Sequence, residues 1–426
     1  MALRLQTRES AIDSARPNAL GIARNPGRRA SRATWSDQWL VRKMLNAVGG
    51  PAITVVLWDG TELSTSLAPI SVLTIHDRQA LLALLLDPEF YFGDLYSSGR
   101  VEVLGDFTTF LENVYLAIQK CASKSSWHRL MAWRHYPHAN SVRGSYGNIS
   151  HHYDLSNDFY RRWLDRETMQ YTCAYFPHEH MSLEEAQVAK LHYICRKLQL
   201  RPGDTVVEAG CGWGGLARFM AKHYGVTVRA FNISHEQVVF ARSRALEEGL
   251  ADQIEYVEDD YRNIQGQYDV FVSVGMLEHV GAQHFRSLGL VINRVLKDEG
   301  RGLVHSIGRN SPGLMNAWIE KRIFPGAYPP SLGQMMDIFE PHELSVLDIE
   351  NMRLHYARTL QHWLQRFEDC SDEIRYQFDE AFIRAWRLYL AGSIAAFNTG
   401  ELQLFQIVFN RALSNTVPWS RAHLYQ

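Results

Sequence analysis

Residues 207–215 read VEAGCGWGG, three glycines at alternate positions behind an acid. Gly210, Gly212 and Gly214 make a turn without side chains, so a ligand can approach the backbone and the start of the helix that follows. The spacing is neither the GxGxxG of dinucleotide folds nor a phosphate loop ending in GK[ST], and no lysine stands beside it to hold a triphosphate. Glu208, just before the turn, favours a ligand with positive charge. S-adenosylmethionine, with an amino group and a sulfonium, meets that demand better than NAD does. At the next strand end, where a ribose would lie, FNIS offers Asn232, Ser234 and then Gln237 in place of the usual acid. VEDDYR at 257–262 supplies Asp260 and Tyr261, suited to the amino group and the ring of an adenine.

Four other residues carry chemistry only through their surroundings. Cys173 lies in an aromatic run and, alone, reads as a buried structural thiol. His305 stands inside an apolar strand, where a satisfied core histidine is the ordinary case, and Tyr356 sits in an aromatic-rich region that is core-like by composition. Glu278 follows a strand at the end where ligands bind, which favours a buried carboxylate over a solvated face. The five cysteines are scattered with no CxxC pair, so neither a zinc site nor a disulfide framework is expected and a reducing compartment fits best.

The elements that must hold these residues follow from the apolar pattern. Strands are expected at 205–208, 226–233, 254–257, 268–274 and 302–307, with helices at 216–224, 236–248 and about 283–296. Strand, helix, strand repetition predicts an α/β fold with a parallel sheet and ligands at the carboxyl ends of its strands. Late strands are expected at 344–349 and 404–409, separated by an aromatic-rich helical region from Leu360 to Phe397. Upstream, Asp59-Gly60 between β-rich runs signals a hairpin, and helical patterning at 77–86 and about 107–122 completes a smaller α+β domain. The expected division is a basic tail at 1–34, an N-terminal lipid- or membrane-associated domain at 35–136, a linker at 137–147 and a catalytic domain at 148–426.

The chain has 426 residues, 46% apolar and 21% charged, enough to bury a large core and unlike a disordered or collagenous chain. Its longest aliphatic run, Ala80 to Leu86, is far short of the roughly 20 residues that span a bilayer. Net charge is only −2, yet it is unevenly spread. Met1 to Leu45 holds nine Lys and Arg against three acids. Asn113 to Tyr153 holds no acid, while Lys120, Lys124, Arg129, Arg134 and Arg143 are interleaved with five histidines, Trp127 and Trp133. That stretch suits an anionic lipid surface; no nucleic-acid-binding motif accompanies it.

Six strings together resemble one family, the cyclopropane-fatty-acyl-phospholipid synthases with the related mycolic acid cyclopropane synthases and methyltransferases. They are HYDLSNDFY at 152–160, MQYTCAYF at 169–176, VEAGCGWGG at 207–215, SVGMLEHVG at 273–281, VHSIG at 304–308 and HYARTL at 355–360. They stand in family order and spacing, and the likeness runs from about Gly147 to the C-terminus. The N-terminal domain looks like the extra domain of the bacterial phospholipid enzymes.

The resemblance implies a Rossmann-like class I S-adenosylmethionine-dependent methyltransferase that acts on the cis double bond of unsaturated phospholipid acyl chains and holds a bicarbonate ion. By position, it implies cofactor contacts from Tyr153, Tyr171, Thr172, Gly210, Gly212, Ser234, Gln237, Asp260 and Tyr261. It implies a bicarbonate set of Cys173, Glu278, His305, Ile307 through its backbone, and Tyr356. An alkene needs positioning against the sulfonium rather than a base; the cation left on the chain then needs a dry pocket, a negative charge and a base. A methylene- or methyl-branching fatty acyl methyltransferase and a catalytically silent lipid-binding scaffold are the alternatives on the same fold. The expected setting is cytoplasmic, peripheral on the inner face of the cell membrane with the phospholipid bilayer as partner, and the family suggests a homodimer.

Overall fold

The computed structural model describes residues 32–122 and 156–425. Most of the basic tail, the basic tryptophan stretch beyond Lys120, the linker and Tyr153 therefore lie outside the described residues.

The first region is a four-stranded sheet with helices. Strands β1 (Ile53–Val56) and β2 (Glu62–Ser64) form the expected hairpin over Asp59-Gly60, with Val55 opposite Leu63. Strand β3 (Ser71–Ile75) runs parallel to β1, and β4 (Val101–Leu104) pairs antiparallel with β3, giving the order β2-β1-β3-β4. Alternation decides which side is core: Ile53, Val55, Leu73 and Ile75 are buried. Helix Trp35–Ala47 starts in a capping box between Thr34 and Asp37, worth about 1 kcal/mol. The backbone N–H of Ala33 donates to Asp59 at 2.7 Å, so the last residues assigned to the tail are tied to the folded region. Asp77 caps helix Arg78–Leu86, which ends where Pro88 opens helix Pro88–Ser97.

The second region is built on a seven-stranded sheet. Its strands are β5 (Thr205–Ala209), β6 (Thr227–Asn232), β7 (Ile254–Glu258), β8 (Tyr268–Val274), β9 (Leu296–Gly308), β10 (Leu344–Asn351) and β11 (Gln403–Arg411), in the order β10-β11-β9-β8-β5-β6-β7. The five strands from β5 to β9 are parallel, as the strand–helix alternation predicts. One strand is reversed: β11 lies antiparallel between β9 and β10, which both run the common way, so the sheet is mixed. The cause is parity. One crossover helix returns the chain in its first direction, whereas β10 and β11 are joined by two long helices, Arg353–Asp369 and Glu380–Asn398, and the second reverses the chain once more. Strand order turns at β5, whose neighbours β8 and β6 lead to opposite sides, and this is where an α/β sheet opens a crevice for ligands.

Apolar clusters cover both faces of this sheet. A third cluster joins Leu81, Leu95 and Phe110 of the first region to Trp163, Tyr356, Trp363, Trp386 and Tyr389 of the second. Polar ties reinforce that seam. Arg322 grips Asp94 with Nε at 3.1 Å and Nη2 at 2.7 Å, Trp318 Nε1 donates to the same carboxylate at 3.1 Å, and Arg384 donates to the Tyr96 carbonyl at 2.5 Å. Among the described residues no helix is long and apolar enough to cross a membrane.

Candidate active site

β5 delivers Glu208 to the sheet's carboxyl edge and the chain then turns through the glycines. The N–H groups of Gly210 and Cys211 both donate to the Phe231 carbonyl, at 2.9 and 3.1 Å, pinning the turn to β6. Gly210 has φ +83°, and a Cβ there would stand 2.8 Å from that of Met276. Gly212 has φ +53°, but a Cβ there would meet nothing within 4 Å, because it borders open space. The turn leads into helix Gly215–Tyr224, whose first turn has no side-chain cap.

One cleft lies over this turn. Tyr171, Thr172, Gly210, Gly212, Gln237, Asp260 and Tyr261 all line it, as do Glu208 and Asn232. Ser234 does not. Its hydroxyl accepts from the Gln237 N–H and starts helix His235–Glu247, so it holds Gln237 instead of touching the cleft. Asn232 Nδ2 donates to Gln237 Oε1 at 2.9 Å and to the Gly212 carbonyl at 3.2 Å, locking the second strand end to the turn. Asp260 receives both the backbone N–H and Nη1 of Arg262 at 2.9 Å.

Two lining groups are conspicuous for what they lack. Glu208 is 2% exposed and its Oε2 has no hydrogen-bond partner among the described residues. Burial pushes its carboxyl up to about 8, against the pull of Lys190 and Arg218. The Tyr261 hydroxyl is likewise buried without a hydrogen-bond partner of good geometry among the described residues, with the Arg262 guanidinium close by. An acid awaiting a cation, an unmatched phenol and a bare glycine edge are the features that an amino-acid-bearing nucleoside would satisfy.

A second group of polar residues sits behind the cleft. Gly275 and His279 line the cleft, and between them Glu278 turns inward, with Oε1 accepting the Ile307 N–H at 2.6 Å. The Gly275 N–H donates to the His305 carbonyl at 2.9 Å, so β9 places His305 and Ile307 directly alongside. Glu278 Oε2 and His305 Nε2 are both buried with no hydrogen-bond partner among the described residues. Burial raises the Glu278 carboxyl to about 7, while it drives His305 well below its usual range, helped by the charges of Lys190 and Lys197. Cys173 is fully buried, its thiol pushed well up by burial and donating to the Ala174 carbonyl at 3.1 Å.

Helix Arg353–Asp369 closes the group. The Ala174 N–H donates to Thr359 Oγ1 at 2.9 Å, which fixes Cys173 one turn from Tyr356. The helix starts where the Met352 N–H donates to the carbonyl of Leu404, the residue that pairs with Ile307. Tyr356 packs on Trp363 and Phe397, with ring centroids at 5.9 and 4.7 Å.

These features can be set beside known proteins. The family described as mycolic acid cyclopropane synthetase matches residues 140–407. The chain is 43% identical over 265 residues to the cyclopropane-fatty-acyl-phospholipid synthase of Escherichia coli, covering 62% of this chain and 68% of that protein. It is 34% identical over 389 residues to a probable fatty acid methyltransferase of Pseudomonas putida, covering 87% and 95%. The solved structure of mycolic acid cyclopropane synthase CmaA1, complexed with SAH and CTAB, matches with a TM-score of 0.59 at 28% identity, over 62% of this chain and 98% of that one. The chain belongs to the mycolic acid cyclopropane synthetase family.

A member of this synthetase family is an S-adenosylmethionine-dependent methyltransferase with the class I fold, and the mixed sheet described above is that fold. Two lysines escaped the sequence reasoning. Lys190 is fully buried and donates to Gln170 Oε1 at 2.5 Å and Thr172 Oγ1 at 3.0 Å, and burial lowers it to about 8. Lys197 is equally buried, two turns further along helix Leu183–Lys197. The signal was in the pattern: Leu183, Ala186, Lys190, Ile194 and Lys197 form a core-facing stripe, where a lysine is never neutral ornament.

Proposed function

We propose that this protein transfers the methyl carbon of S-adenosylmethionine to the cis double bond of an unsaturated phospholipid acyl chain and closes a cyclopropane ring, working as a peripheral protein on the cytoplasmic face of the membrane. The observation that carries this reading is the pair of unmatched buried atoms, Glu278 Oε2 and His305 Nε2, directly behind the cleft. One wants a donor and the other can donate, so a small ion with both an O–H and bare oxygens suits them, and bicarbonate is such an ion.

The cofactor, when bound, supplies a methyl group activated by a sulfonium. The π pair of the alkene forms the new carbon–carbon bond as the carbon–sulfur bond breaks, leaving positive charge on the acyl chain. Ring closure then requires loss of a proton from the added methyl. Bicarbonate, when bound, supplies negative charge and a base at neutral pH. Glu208 binds the cofactor's amino group, and Asn232 with Gln237 orients its ribose. The chain's cation is met by an aromatic wall in which the Tyr171 ring stands 5.2 Å from Trp163 and 5.3 Å from Trp363. When the anion is bound, His305 and Tyr356 would hold it as donors, and Cys173, whose thiol is turned to the Ala174 carbonyl, would contribute its backbone N–H. Glu278, near neutrality in pKa, can keep or release a proton at Oε2.

The test is incubation with S-adenosylmethionine and vesicles of a cis-unsaturated phospholipid, then proton NMR of the extracted lipid. Ring-methylene signals are expected. Vinylic or methyl-branch signals alone would replace the ring product by branching, the second reading, with which the name of the Pseudomonas putida relative, probable fatty acid methyltransferase, is compatible over 87% of this chain. No binding of S-adenosylmethionine by calorimetry would leave only the lipid-binding scaffold.

A further inference from the structure

His305 Nδ1, the nitrogen that faces away from the unmatched side, meets Gln406 Nε2 at 3.0 Å. Gln406 lies opposite His305 in the β9–β11 pairing and is fully buried. Its other end, Oε1, accepts from Lys197 Nζ at 2.7 Å, and the same ammonium reaches Glu350 Oε2 at 2.5 Å. The Lys197 side chain is 1% exposed and lies 4.4 Å over the Tyr193 ring. Glu350, at the edge of the sheet, keeps contact with solvent.

The donor inventory gives this line a direction. An ammonium has hydrogens and no lone pair, so it must face the amide oxygen of Gln406 and never its NH2. That leaves the amide NH2 turned toward His305, where it can only donate. Nδ1 must then be the bare nitrogen. Buried between the charges of Lys190 and Lys197, the imidazole is neutral and carries a single N–H. That hydrogen has one place left.

We propose that Glu350, Lys197 and Gln406 are positioning residues that hold His305 in its Nε2–H tautomer, so that the ring presents a hydrogen to the anion in the active site rather than a lone pair. The identity of that anion rests on the function proposed above; the tautomer does not. An Nδ1–H ring would set a lone pair against the anion, and Glu278 would then face it with no donor from β9's histidine. Partners of this kind, one bond removed from the group they orient, change affinity or activity by about 10- to 100-fold when altered.

The test is a long-range proton–nitrogen correlation spectrum of the ligand-free full chain labelled in its histidine rings, with His305 assigned by the signal lost in His305→Asn. The expected spectrum shows protonated Nε2 and bare Nδ1; a protonated Nδ1 would overturn the proposal. Gln406→Glu places an acceptor against Nδ1 and should move the hydrogen there, with turnover falling about 10- to 100-fold and S-adenosylmethionine affinity held within about twofold. Lys197→Arg keeps a donor-only cation and should preserve the Nε2–H signal, whereas Lys197→Met frees the amide and should yield both tautomers. An unchanged tautomer in a folded Gln406→Glu protein would also overturn it. If the tautomer is as expected while the lipid shows no ring, the proposed function fails and this inference stands.

Discussion

At the scale of single residues, two buried carboxyls with raised pKa values make separate predictions. Glu208 sits at about 8, so at pH 7 it is mostly protonated in the free protein. The sign follows from linkage: a raised carboxyl stabilises the fold most below its ordinary value, and that contribution is lost as pH rises toward 8. A bound ammonium favours the carboxylate, so cofactor binding at pH 7 should release about one proton. Calorimetry in buffers of different ionisation enthalpy reads it, and Glu208→Gln should abolish the buffer dependence. Glu278 lies behind the cleft and touches no part of it directly. Glu278→Gln should leave cofactor affinity within about threefold while turnover falls by about 100-fold or more, the range for a proton-handling group; single-turnover kinetics separates the two.

Residue types and spacing picked out residues that the structure gathers on the wall of one cleft. The glycine turn, Glu208, Asp260 and Tyr261 lie in one short stretch of sheet edge, so local order sufficed. Ser234 shows the limit, since a serine after a strand and before a helix can face a ligand or cap the helix, and here it caps. Gln406 was invisible because it is 101 residues from His305 and meets it only through strand register. Lys190 and Lys197 were passed over because charge reads as surface until the helix stripe is counted.

At the scale of elements, helix Pro88–Ser97 is fitted to its neighbour by the absence of a side chain. A Cβ on Gly93 would stand 2.4 Å from ring atoms of Trp318, the same tryptophan whose Nε1 donates to Asp94. Gly93→Leu should therefore destabilise the protein by about 1–3 kcal/mol, the usual cost of overpacking, seen as a lower midpoint in denaturant unfolding with an unchanged slope. The hairpin over Asp59-Gly60 and strands β5 to β8 were legible because each is decided within a few residues. The direction of β11 was not, because it depends on whether one or two helices intervene, and the aromatic region reads as helical either way. The true reach of β9, which begins at Leu296 rather than Gly302, was hidden by Asp298, Glu299 and two glycines.

At the scale of the whole molecule, helix Glu380–Asn398 links the two regions. It packs on helix Arg353–Asp369 and on helices Pro88–Ser97 and Phe107–Ala122, and its second half, from Leu388 to Phe397, is almost wholly apolar, as a helix buried between layers must be. From its middle, the Tyr389 hydroxyl meets that of Tyr171 at 2.9 Å on the cleft wall. Leu67, Ile70 and Leu104 stand exposed at one end of the four-stranded sheet, an apolar rim on the region read as lipid-facing.

The consequence of that sandwiched helix reaches into how the protein can be handled. Starting the gene at residue 140, where the family match begins, would remove helices Pro88–Ser97 and Phe107–Ala122 from the flank of helix Glu380–Asn398 that carries Arg384, so the shortened polypeptide would clump from its newly bared flank even though every string of the catalytic signature was kept.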